Sequence, residues 1–181
     1  MENFKAILFD FDGVIGDTME ANYAAWSEAF SSEGLVFMDK QDYFLREGMS
    51  PREFHHAILD SHGKEIADKV VDKKEEIFLR AKTSYGIYPE AKEILTDLVH
   101  RRYFLALVTG GSKNRIRQSV PGDILRMFAV VVTADNTLKH KPDPDPYLLA
   151  MERMKRIVGE DISPGQYIAV ENAPYGIRSA K

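Results

Sequence analysis

The hydrophobic residues of this chain gather in four short runs that have the length of β-strands. The runs cover residues 4–9 (FKAILF), 103–109 (YFLALVT), 128–133 (FAVVVT) and 166–170 (QYIAV). They are nearly continuous rather than alternating, which is the pattern of strands buried on both faces. We therefore predict a parallel sheet that helices cover on both sides.

Three longer segments between these runs have the periodicity of amphipathic helices. Residues 89–101 (PEAKEILTDLVHR) begin with a proline, which is favoured in the first turn of a helix, and their apolar residues recur three and four positions apart. Residues 113–120 and 144–158 are the other two segments. Strands that alternate with helices predict an α/β fold, with a doubly wound parallel sheet as a Rossmann-like core.

Residues 17–83 interrupt this alternation. They contain helical patterns such as ANYAAWSEAF and EIADKVVDKKEEIFLRAK but no run that resembles a strand. We predict that residues 17–83 form a helical cap domain, inserted into a catalytic core made of residues 1–16 and 84–181. Such an insertion lies above the carboxyl ends of the strands, where α/β sheets bind their ligands.

The composition is typical of a globular protein and excludes several functional classes. Of the 181 residues, 44% are hydrophobic and 29% are charged, and the net charge of −4 leaves no basic face for nucleic acid. No apolar stretch approaches the roughly 18 residues that span a bilayer. The chain lacks cysteine, which excludes disulfides and thiolate metal sites. Because the N-terminus also lacks the features of a signal peptide, we expect a cytoplasmic protein that binds neither nucleic acid nor membrane. The sequence gives no oligomeric state.

Each predicted strand ends in polar or small residues that could take part in chemistry. They are Asp10 and Asp12 after the first strand, Thr109, Gly110 and Gly111 after the second, Lys141 after the third, and Glu171 and Asn172 after the fourth. The carboxyl ends of parallel strands lie along one edge of a sheet. We therefore expect these four segments to converge.

The segment LFDFDGVIGDT, residues 8–18, places two carboxylates two positions apart. Residues with this spacing on a strand point the same way, so Asp10 and Asp12 can address one small volume. With Glu171 or Asn172 they would form a site of hard oxygen ligands that suits Mg²⁺. One aspartate could attack phosphorus, and the other could serve as general acid and then as general base.

The other strand ends suit a phosphate group. Thr109 offers a hydroxyl, the backbone of Gly110 and Gly111 allows close approach of N–H groups, and Lys141 supplies a positive charge.

The motif DFDGVIGDT resembles the first motif of the haloacid dehalogenase superfamily of phosphatases and phosphomutases. The other motifs follow in the order of that family: a strand that ends in Thr109, Lys141 within KPDPDPYLLA, and the pair Glu171-Asn172. The resemblance covers nearly the whole chain. It is closest to the branch that is similar to β-phosphoglucomutase and phosphoglycolate phosphatase.

This resemblance implies a role for each motif. Asp10 would be the nucleophile that forms an aspartyl-phosphate, and Asp12 the general acid and base, whose backbone carbonyl also reaches Mg²⁺. Thr109 and Lys141 would hold the phosphoryl group. The pair Glu171-Asn172 would complete the metal site. Residues 17–83 would close over the site as a cap and exclude water.

The chain departs from the family pattern at two places. The last motif of the family usually ends in aspartate, whereas Asn172 is a neutral ligand that should weaken Mg²⁺ binding. The sequence stops at Lys181, early in a helix, whereas relatives continue through at least one more strand. We expect a truncated chain in which the strand before Glu171 lies at an exposed edge of the sheet.

The predicted cap bears on the choice between hydrolysis and phosphoryl transfer. Mutases similar to β-phosphoglucomutase carry a histidine where DTMEANYAAW has Asn22, and asparagine cannot take up a proton as imidazole does. Arg52 in EGMSPRE and Lys74 in VDKKEE are available to a substrate carboxylate or second phosphate. Dehalogenase and phosphonatase chemistry are disfavoured, because those enzymes lack the second aspartate and Asp12 is present.

The resulting hypothesis is a Mg²⁺-dependent phosphatase that acts on a small phosphomonoester, such as a sugar phosphate or phosphoglycolate. One alternative is a hexose-phosphate mutase of the β-phosphoglucomutase type. Another is a non-catalytic relative that binds a phosphorylated ligand or a protein partner.

Several other residues are assigned structural roles. His55 and His62 lie two turns apart without a carboxylate partner, so we interpret them as solvated or packing histidines rather than zinc ligands. Trp26 and Phe30 are expected in the core of the cap. We assign Thr18, with its neighbour at position 17, to the entry of the cap rather than to the chemistry.

Overall fold

A computed structural model describes residues 4–46, 51–81, 86–159 and 162–181 of the chain. Its strands are β1 (Ala6–Phe9), β2 (Gly16–Asp17), β3 (Gly86–Ile87), β4 (Phe104–Val108), β5 (Val130–Val132) and β6 (Tyr167–Val170). Four of them form a parallel sheet in the order β5-β4-β1-β6, and the short β2 and β3 pair antiparallel beside it. Each strand of the parallel sheet lies within one of the four apolar runs.

The helices connect these strands and also form an insertion between β2 and β3. They are α1 (Met19–Ser32), α2 (Lys40–Leu45), α3 (Pro51–His62), α4 (Lys64–Arg80), α5 (Pro89–His100), α6 (Lys113–Ser119), α7 (Gly122–Leu125), α8 (Asp145–Val158) and α9 (Pro174–Ala180). The three helices predicted in the core correspond to α5, α6 and α8.

Both faces of the sheet are covered by hydrophobic residues, because alternate residues of each strand point to opposite sides. On one face Phe9 and Leu107 pack with Leu95 of α5, and on the other Leu8 and Val108 pack with residues of α8. This arrangement confirms the predicted α/β fold with a parallel, Rossmann-like sheet.

Strand β6 lies at one edge of the sheet. Among the described strands it pairs only with β1, and its residues are half-buried or exposed, whereas every residue of β1 is buried. The strand that leads to Glu171 is therefore an edge strand, as expected from the sequence.

Helices α1 to α4, the helical insertion, surround a hydrophobic cluster of their own. Trp26 belongs to this cluster, and its ring lies 4.4 Å from that of Phe54 and 6.3 Å from that of Phe30, measured between ring centroids. Their assignment to a hydrophobic core is thus confirmed. The proposed domain limits stay a prediction, and the limit at 83/84 lies outside the described residues.

One premise about the histidines is wrong, although their interpretation as solvated or packing residues is not contradicted. His55 does have a carboxylate partner, since its Nε2 lies 2.7 Å from Oδ1 of Asp68 in the next helix. Contact between neighbouring helices supplied the partner that the spacing within one helix did not indicate. In the described segments, no helix is both long and apolar enough to cross a membrane.

Candidate active site

The turn after β1 holds two buried aspartates at the carboxyl edge of the sheet. Asp10 and Asp12 are 4% and 6% exposed. The amide of Asp10 donates to the carbonyl of Val170 at 3.0 Å, which continues the pairing with β6 beyond the strand. The amide of Gly16 then donates to the carbonyl of Phe11 at 2.8 Å and closes the turn. Both carboxylates are therefore held by ordered backbone.

Gly13 allows this turn to approach the end of β6. Its φ of 77° lies in the left-handed region, which favours glycine, and a β-carbon there would overlap the side chain of Asn172. The turn and the residues after β6 consequently pack in direct contact.

Lys141 donates hydrogen bonds to two carboxylates, one of which is Asp10 of this turn. Its Nζ donates to Oδ1 of Asp10 at 2.7 Å, to Oε1 of Glu171 at 2.5 Å and to the carbonyl of Val108 at 2.9 Å. The hydroxyl of Tyr147, on α8, donates to the same oxygen of Glu171 at 2.5 Å. We call these residues the Lys141 cluster. Their charged side chains are at most 5% exposed.

The charges of the Lys141 cluster are not balanced, since two carboxylates face one ammonium group. Burial raises the pKa of Asp10 to about 7, and the negative charges of Glu171 and Asp12 add to this effect, although Lys141 opposes it. Burial alone would lower the pKa of Lys141, but the two carboxylates outweigh it, so that pKa lies above its usual value. The lysine therefore stays charged while the cluster carries an excess of negative charge.

Asp12 is held by three donors that all contact the same oxygen. Its Oδ1 accepts from the amide nitrogen of Asn22 at 3.0 Å, from the hydroxyl of Thr18 and from the guanidinium of Arg115. Thr18 immediately precedes α1 and Asn22 lies within it, whereas Arg115 belongs to α6 of the core. The carboxylate of Asp12 thus lies between the sheet edge and the helical insertion.

A second cation lies close to Arg115. The side chain of Lys74, on α4, is 1% exposed, and its Nζ is 3.0 Å from Oε1 of Glu75. The guanidinium of Arg115 and the ammonium of Lys74 lie over the same ring, that of Phe78, at 4.2 and 5.0 Å from its centroid. Burial, followed by the positive charge of Arg115, lowers the pKa of Lys74. We call Arg115, Asp12, Lys74 and Glu75 the Arg115 cluster.

The loop after β4 leads into the helix that carries Arg115. Thr109 is buried, and its Oγ1 accepts from the amide of Gly111 at 3.0 Å. The hydroxyl of Ser112 then accepts from the amide of Arg115 at 3.1 Å and caps α6. Gly110, which is half-buried, lies between these two turns.

The structure brings some of the predicted site residues together and separates others. Asp10, Lys141 and Glu171 meet through direct contacts. Asn172 is exposed, and its amide nitrogen lies 3.7 Å from the sulfur of Met19 instead. Arg52 belongs to α3, but its side chain lies outside the described residues.

The four predicted magnesium ligands are not assembled as a group. Within the described segments, no three His, Cys, Asp or Glu side chains form a cluster that could hold a metal ion. The side chain of Asp12 is bound to Arg115, whereas its predicted contact with Mg²⁺ through the backbone carbonyl stays a prediction. Asn172 faces Met19. Asp10 and Glu171 nevertheless suit a divalent cation, because they are hard oxygen donors with excess negative charge. The residues present therefore fit Mg²⁺ through a smaller set of side chains than the sequence suggested.

Three residues that contact this site were missed or assigned elsewhere. Thr18, which we had assigned to the cap entry, bonds directly to Asp12. Tyr147 contacts Glu171 and could have been suspected from its place in KPDPDPY, shortly after Lys141. Arg115 is one of several charged residues in α6, and its sequence context does not distinguish it.

Known proteins match this chain along nearly its whole length. The model of the family described as haloacid dehalogenase-like hydrolase matches residues 7–181. Fructose-1-phosphate phosphatase YqaB of Escherichia coli is 28% identical, over 99% of this chain and 93% of its own length. β-Phosphoglucomutase of Bacillus subtilis is 27% identical, over 98% and 79%.

A solved structure shows the same fold. CbbY from Rhodobacter sphaeroides, in complex with phosphate, superimposes with a TM-score of 0.79 at 25% identity, over 98% of this chain and 81% of that one. The chain belongs to the haloacid dehalogenase-like hydrolases, in the branch of β-phosphoglucomutases and sugar phosphatases, and is a phosphoric monoester hydrolase.

Proposed function

We propose that this protein is a Mg²⁺-dependent phosphatase that hydrolyses a small phosphomonoester, of the sugar phosphate or phosphoglycolate type, through an aspartyl-phosphate. The main support is the pairing of two buried aspartates with different surroundings. Asp10 contacts Lys141, whereas Asp12 contacts Arg115. Two carboxylates that lie side by side in different environments can take different roles.

In the first step, an oxygen of Asp10 attacks phosphorus and the bond between phosphorus and the ester oxygen breaks. The departing ester oxygen takes the proton of Asp12, so that an alcohol leaves and a phosphate is bonded to Asp10. Lys141 and Thr109 hold the phosphoryl oxygens, and the fixed contacts of Lys141 keep Asp10 in place for attack.

In the second step, Asp12 acts as a base. Its carboxylate removes a proton from a water molecule, whose oxygen attacks phosphorus. The bond to Asp10 breaks, inorganic phosphate leaves, and both aspartates return to their starting states. Asp10 and Glu171, with the backbone carbonyl of Asp12, would hold Mg²⁺, which supplies positive charge opposite the phosphoryl oxygens when it is bound. A role of Asn172 through water stays a prediction.

The helical insertion acts as the cap in this proposal. It supplies Asn22, whose amide donates to the carboxylate of Asp12, and Lys74 of another helix, which lies over the same ring as the guanidinium of Arg115. Lys74 and Arg52 are the insertion residues proposed to contact the substrate. Closure over the site would exclude water other than the attacking molecule.

The test is phosphate release from 4-nitrophenyl phosphate and from a panel of phosphorylated metabolites, with Mg²⁺ and with a chelator. We expect Asp10→Asn to lower the rate by about a thousandfold or more, because the nucleophile is lost. Equal rates for wild type and Asp10→Asn would contradict the proposal and indicate a non-catalytic relative that binds phosphorylated ligands or proteins. Trapping of phosphate on Asp10 of the wild type, detected by mass spectrometry, tests the intermediate.

Mutase activity is the second candidate, supported by the similarity to β-phosphoglucomutase. Asn22 opposes it, since its amide contacts Asp12 but cannot carry a proton as imidazole does. Conversion of β-glucose 1-phosphate to glucose 6-phosphate, with little phosphate released, would identify a mutase.

A further inference from the structure

A cavity of about 420 Å³ lies between α6, α8 and the end of β5. Three of the side chains that line it are cations, namely Lys113 and Arg117 of α6 and Arg153 of α8. Among the described residues that line it, none is an aspartate or glutamate, and none belongs to the Lys141 or Arg115 cluster. Its volume lies in the range of small-molecule sites, about 300–1,000 Å³. This cavity, which we call the Arg153 cavity, therefore gathers positive charge in a chain whose net charge is −4.

The two cations that α6 contributes are neighbours on one face of that helix. Lys113 and Arg117 lie four positions apart, where like charges destabilise a helix. Other helices place an acid at this distance from a cation, as in Lys64 with Asp68, Glu65 with Lys69, Glu76 with Arg80, Asp97 with Arg101 and Glu152 with Arg156. The sequence of α6, KNRIRQS, contains no acid, and within the described residues no ion pair involves Lys113 or Arg117. Helix α6 thus holds two cations side by side that an anion would stabilise.

Arg153 reaches the cavity from the other face of the sheet. Helices α6 and α8 pack on opposite faces, and β5 is the last strand of the described sheet on this side. The Nη1 of Arg153 donates to the carbonyl of Val131 at 3.1 Å and to Oδ1 of Asn136 at 3.3 Å. The described part of the chain provides no partner for its other two nitrogens. The guanidinium is therefore held in place with donors left for a ligand.

Asn136 adds a further donor. Its Oδ1 also accepts from the amide of Thr133 at 3.0 Å, so its oxygen faces the protein and its NH₂ group has no partner among the described residues. The neighbouring acid Asp135 does not line the cavity. Its Oδ2 accepts from the backbone amide of Lys113 at 2.6 Å and from the hydroxyl of Thr133 at 3.2 Å. The polar side chains that remain available in the cavity are consequently hydrogen-bond donors, which suit an anion.

We propose that the Arg153 cavity is a second anion site, separate from the candidate active site, which binds the phosphate group of a small phosphorylated molecule. A phosphate group carries about −1.5 to −2 charges at pH 7 and three acceptor oxygens, which matches several cations better than a single carboxylate would. Guanidinium groups bind such oxygens in pairs. Ile116 and Leu125 line the same cavity and give the organic part of the ligand an apolar surface. The proposal does not depend on the proposed function, because none of these residues takes part in the catalytic steps.

The test is calorimetric titration with phenylphosphonate, which cannot be hydrolysed as an ester, at an ionic strength held constant with NaCl. A chelator removes Mg²⁺ and so weakens binding of the anion at the candidate active site. We expect wild type to bind with a Kd of about 1 mM or tighter. Both Arg153→Met and the double variant Lys113→Met with Arg117→Met should raise this Kd about tenfold or more, because charge-assisted contacts are lost. Arg156→Met is the matched control, since this arginine of the same helix pairs with Glu152, and it should keep the wild-type Kd.

Inorganic phosphate, titrated in the same way, separates the two sources of a phosphate group. We expect phenylphosphonate to bind at least about threefold tighter, because its ring can contact Ile116 and Leu125. Equal affinities would overturn the assignment to an organic phosphate and indicate a site for free phosphate. A Kd that differs by less than about twofold between wild type and both cavity variants would overturn the site itself.

Thermal unfolding in phosphate gives a second measurement. Phosphate stabilises folded proteins in general through its exclusion from their surface, so the informative quantity is the difference between variants. We expect phosphate to raise the Tm of wild type and of Arg156→Met more than that of the double variant. An equal rise in all three proteins would contradict the proposal. Lys113 and Arg117 are exposed, so the double variant decides the question even if Arg153→Met, which loses the contact with Val131, does not fold.

Discussion

The two clusters of buried charge at the sheet edge differ in which sign they have in excess. The Lys141 cluster contains two carboxylates around one lysine. The Arg115 cluster contacts the ring of Phe78 in the helical insertion and has as many cations as carboxylates, but one of its acids, Glu75, is partly in solvent. Among the described side chains, the buried charges of the Lys141 cluster are two carboxylates and one ammonium group, and those of the Arg115 cluster are one carboxylate and two cations.

The pKa shifts agree with this difference. Burial and neighbouring carboxylates raise the pKa of Asp10 to about 7, while burial and a neighbouring guanidinium lower the pKa of Lys74. Each pKa is shifted toward the neutral form of its group mainly because the group is buried, and neighbouring charges of the same sign add to this effect. A bound cation would reduce the repulsion between the carboxylates of the Lys141 cluster, and a bound anion would reduce the repulsion between the two cations of the Arg115 cluster.

Removal of Lys141 should give the largest effect. In Lys141→Met the carboxylates of Asp10 and Glu171 stay buried without their cation, so we expect the free energy of unfolding to fall by about 3–5 kcal/mol. Urea denaturation measures it, with Lys139→Met as the control, since that lysine is exposed. A loss below about 1 kcal/mol for Lys141→Met would mean that the Lys141 cluster contributes little to the free energy of unfolding.

Because the Lys141 cluster has two carboxylates and one cation, we expect the stability of the protein to depend on pH. The pKa of Asp10 is raised from 3.8 to about 7 in the folded protein. The contribution of Asp10 to stability is therefore fully present below pH 3.8 and is lost as the pH rises through about 7. Asp10→Asn cannot ionise, so in the presence of a chelator it should gain on the order of 1–3 kcal/mol over wild type between pH 4 and pH 8.

Thermal unfolding of wild type and Asp10→Asn across this pH range measures the difference. A constant difference between the two proteins would contradict the raised pKa of Asp10. Addition of Mg²⁺ at pH 8 should stabilise wild type more than the variant, because the nucleophile is also a proposed ligand.

A substitution that shifts Glu171 should affect activity more than stability. A β-carbon at Gly176 would overlap the carboxylate of Glu171, which Lys141 and Tyr147 hold in place. For Gly176→Ala we expect phosphatase activity to fall about ten- to a hundredfold, with a loss of about 1 kcal/mol in stability. Gly165→Ala is the control, since nothing lies within 4 Å of its added carbon. Similar activities for the two variants would show that the position of Glu171 is not critical.

Removal of Lys74 should have the smallest effect on stability. The variant Lys74→Met loses a buried ammonium whose pKa is already lowered, and its partner Glu75 can be hydrated because it is partly exposed. We expect the free energy of unfolding to stay within about 1 kcal/mol of wild type, far from the loss for Lys141→Met. Equal losses for the two lysine variants, measured in the same denaturant, would remove the distinction between the clusters.

The contacts of the Lys141 cluster could be anticipated from the sequence, whereas those of the Arg115 cluster could not. Asp10, Lys141 and Glu171 each follow a parallel strand, and the ends of such strands share an edge wherever the intervening helices pack. Asp12 meets Arg115 only because α6 and the helical insertion take particular positions around the turn. The contact between Thr18 and Asp12 could not be anticipated either, because it depends on how the chain enters α1.

The sequence by itself determined the four strands, the helices between them and the inserted helices, because hydrophobic periodicity follows from which faces are buried. It also determined that Asp10, Lys141 and Glu171 would lie at one edge. Only the tertiary structure decided that Asn172 faces Met19 and that Arg115 joins Asp12. The physical reason is that the direction of a side chain outside a strand depends on the packing of distant elements, which local patterns of polarity do not record.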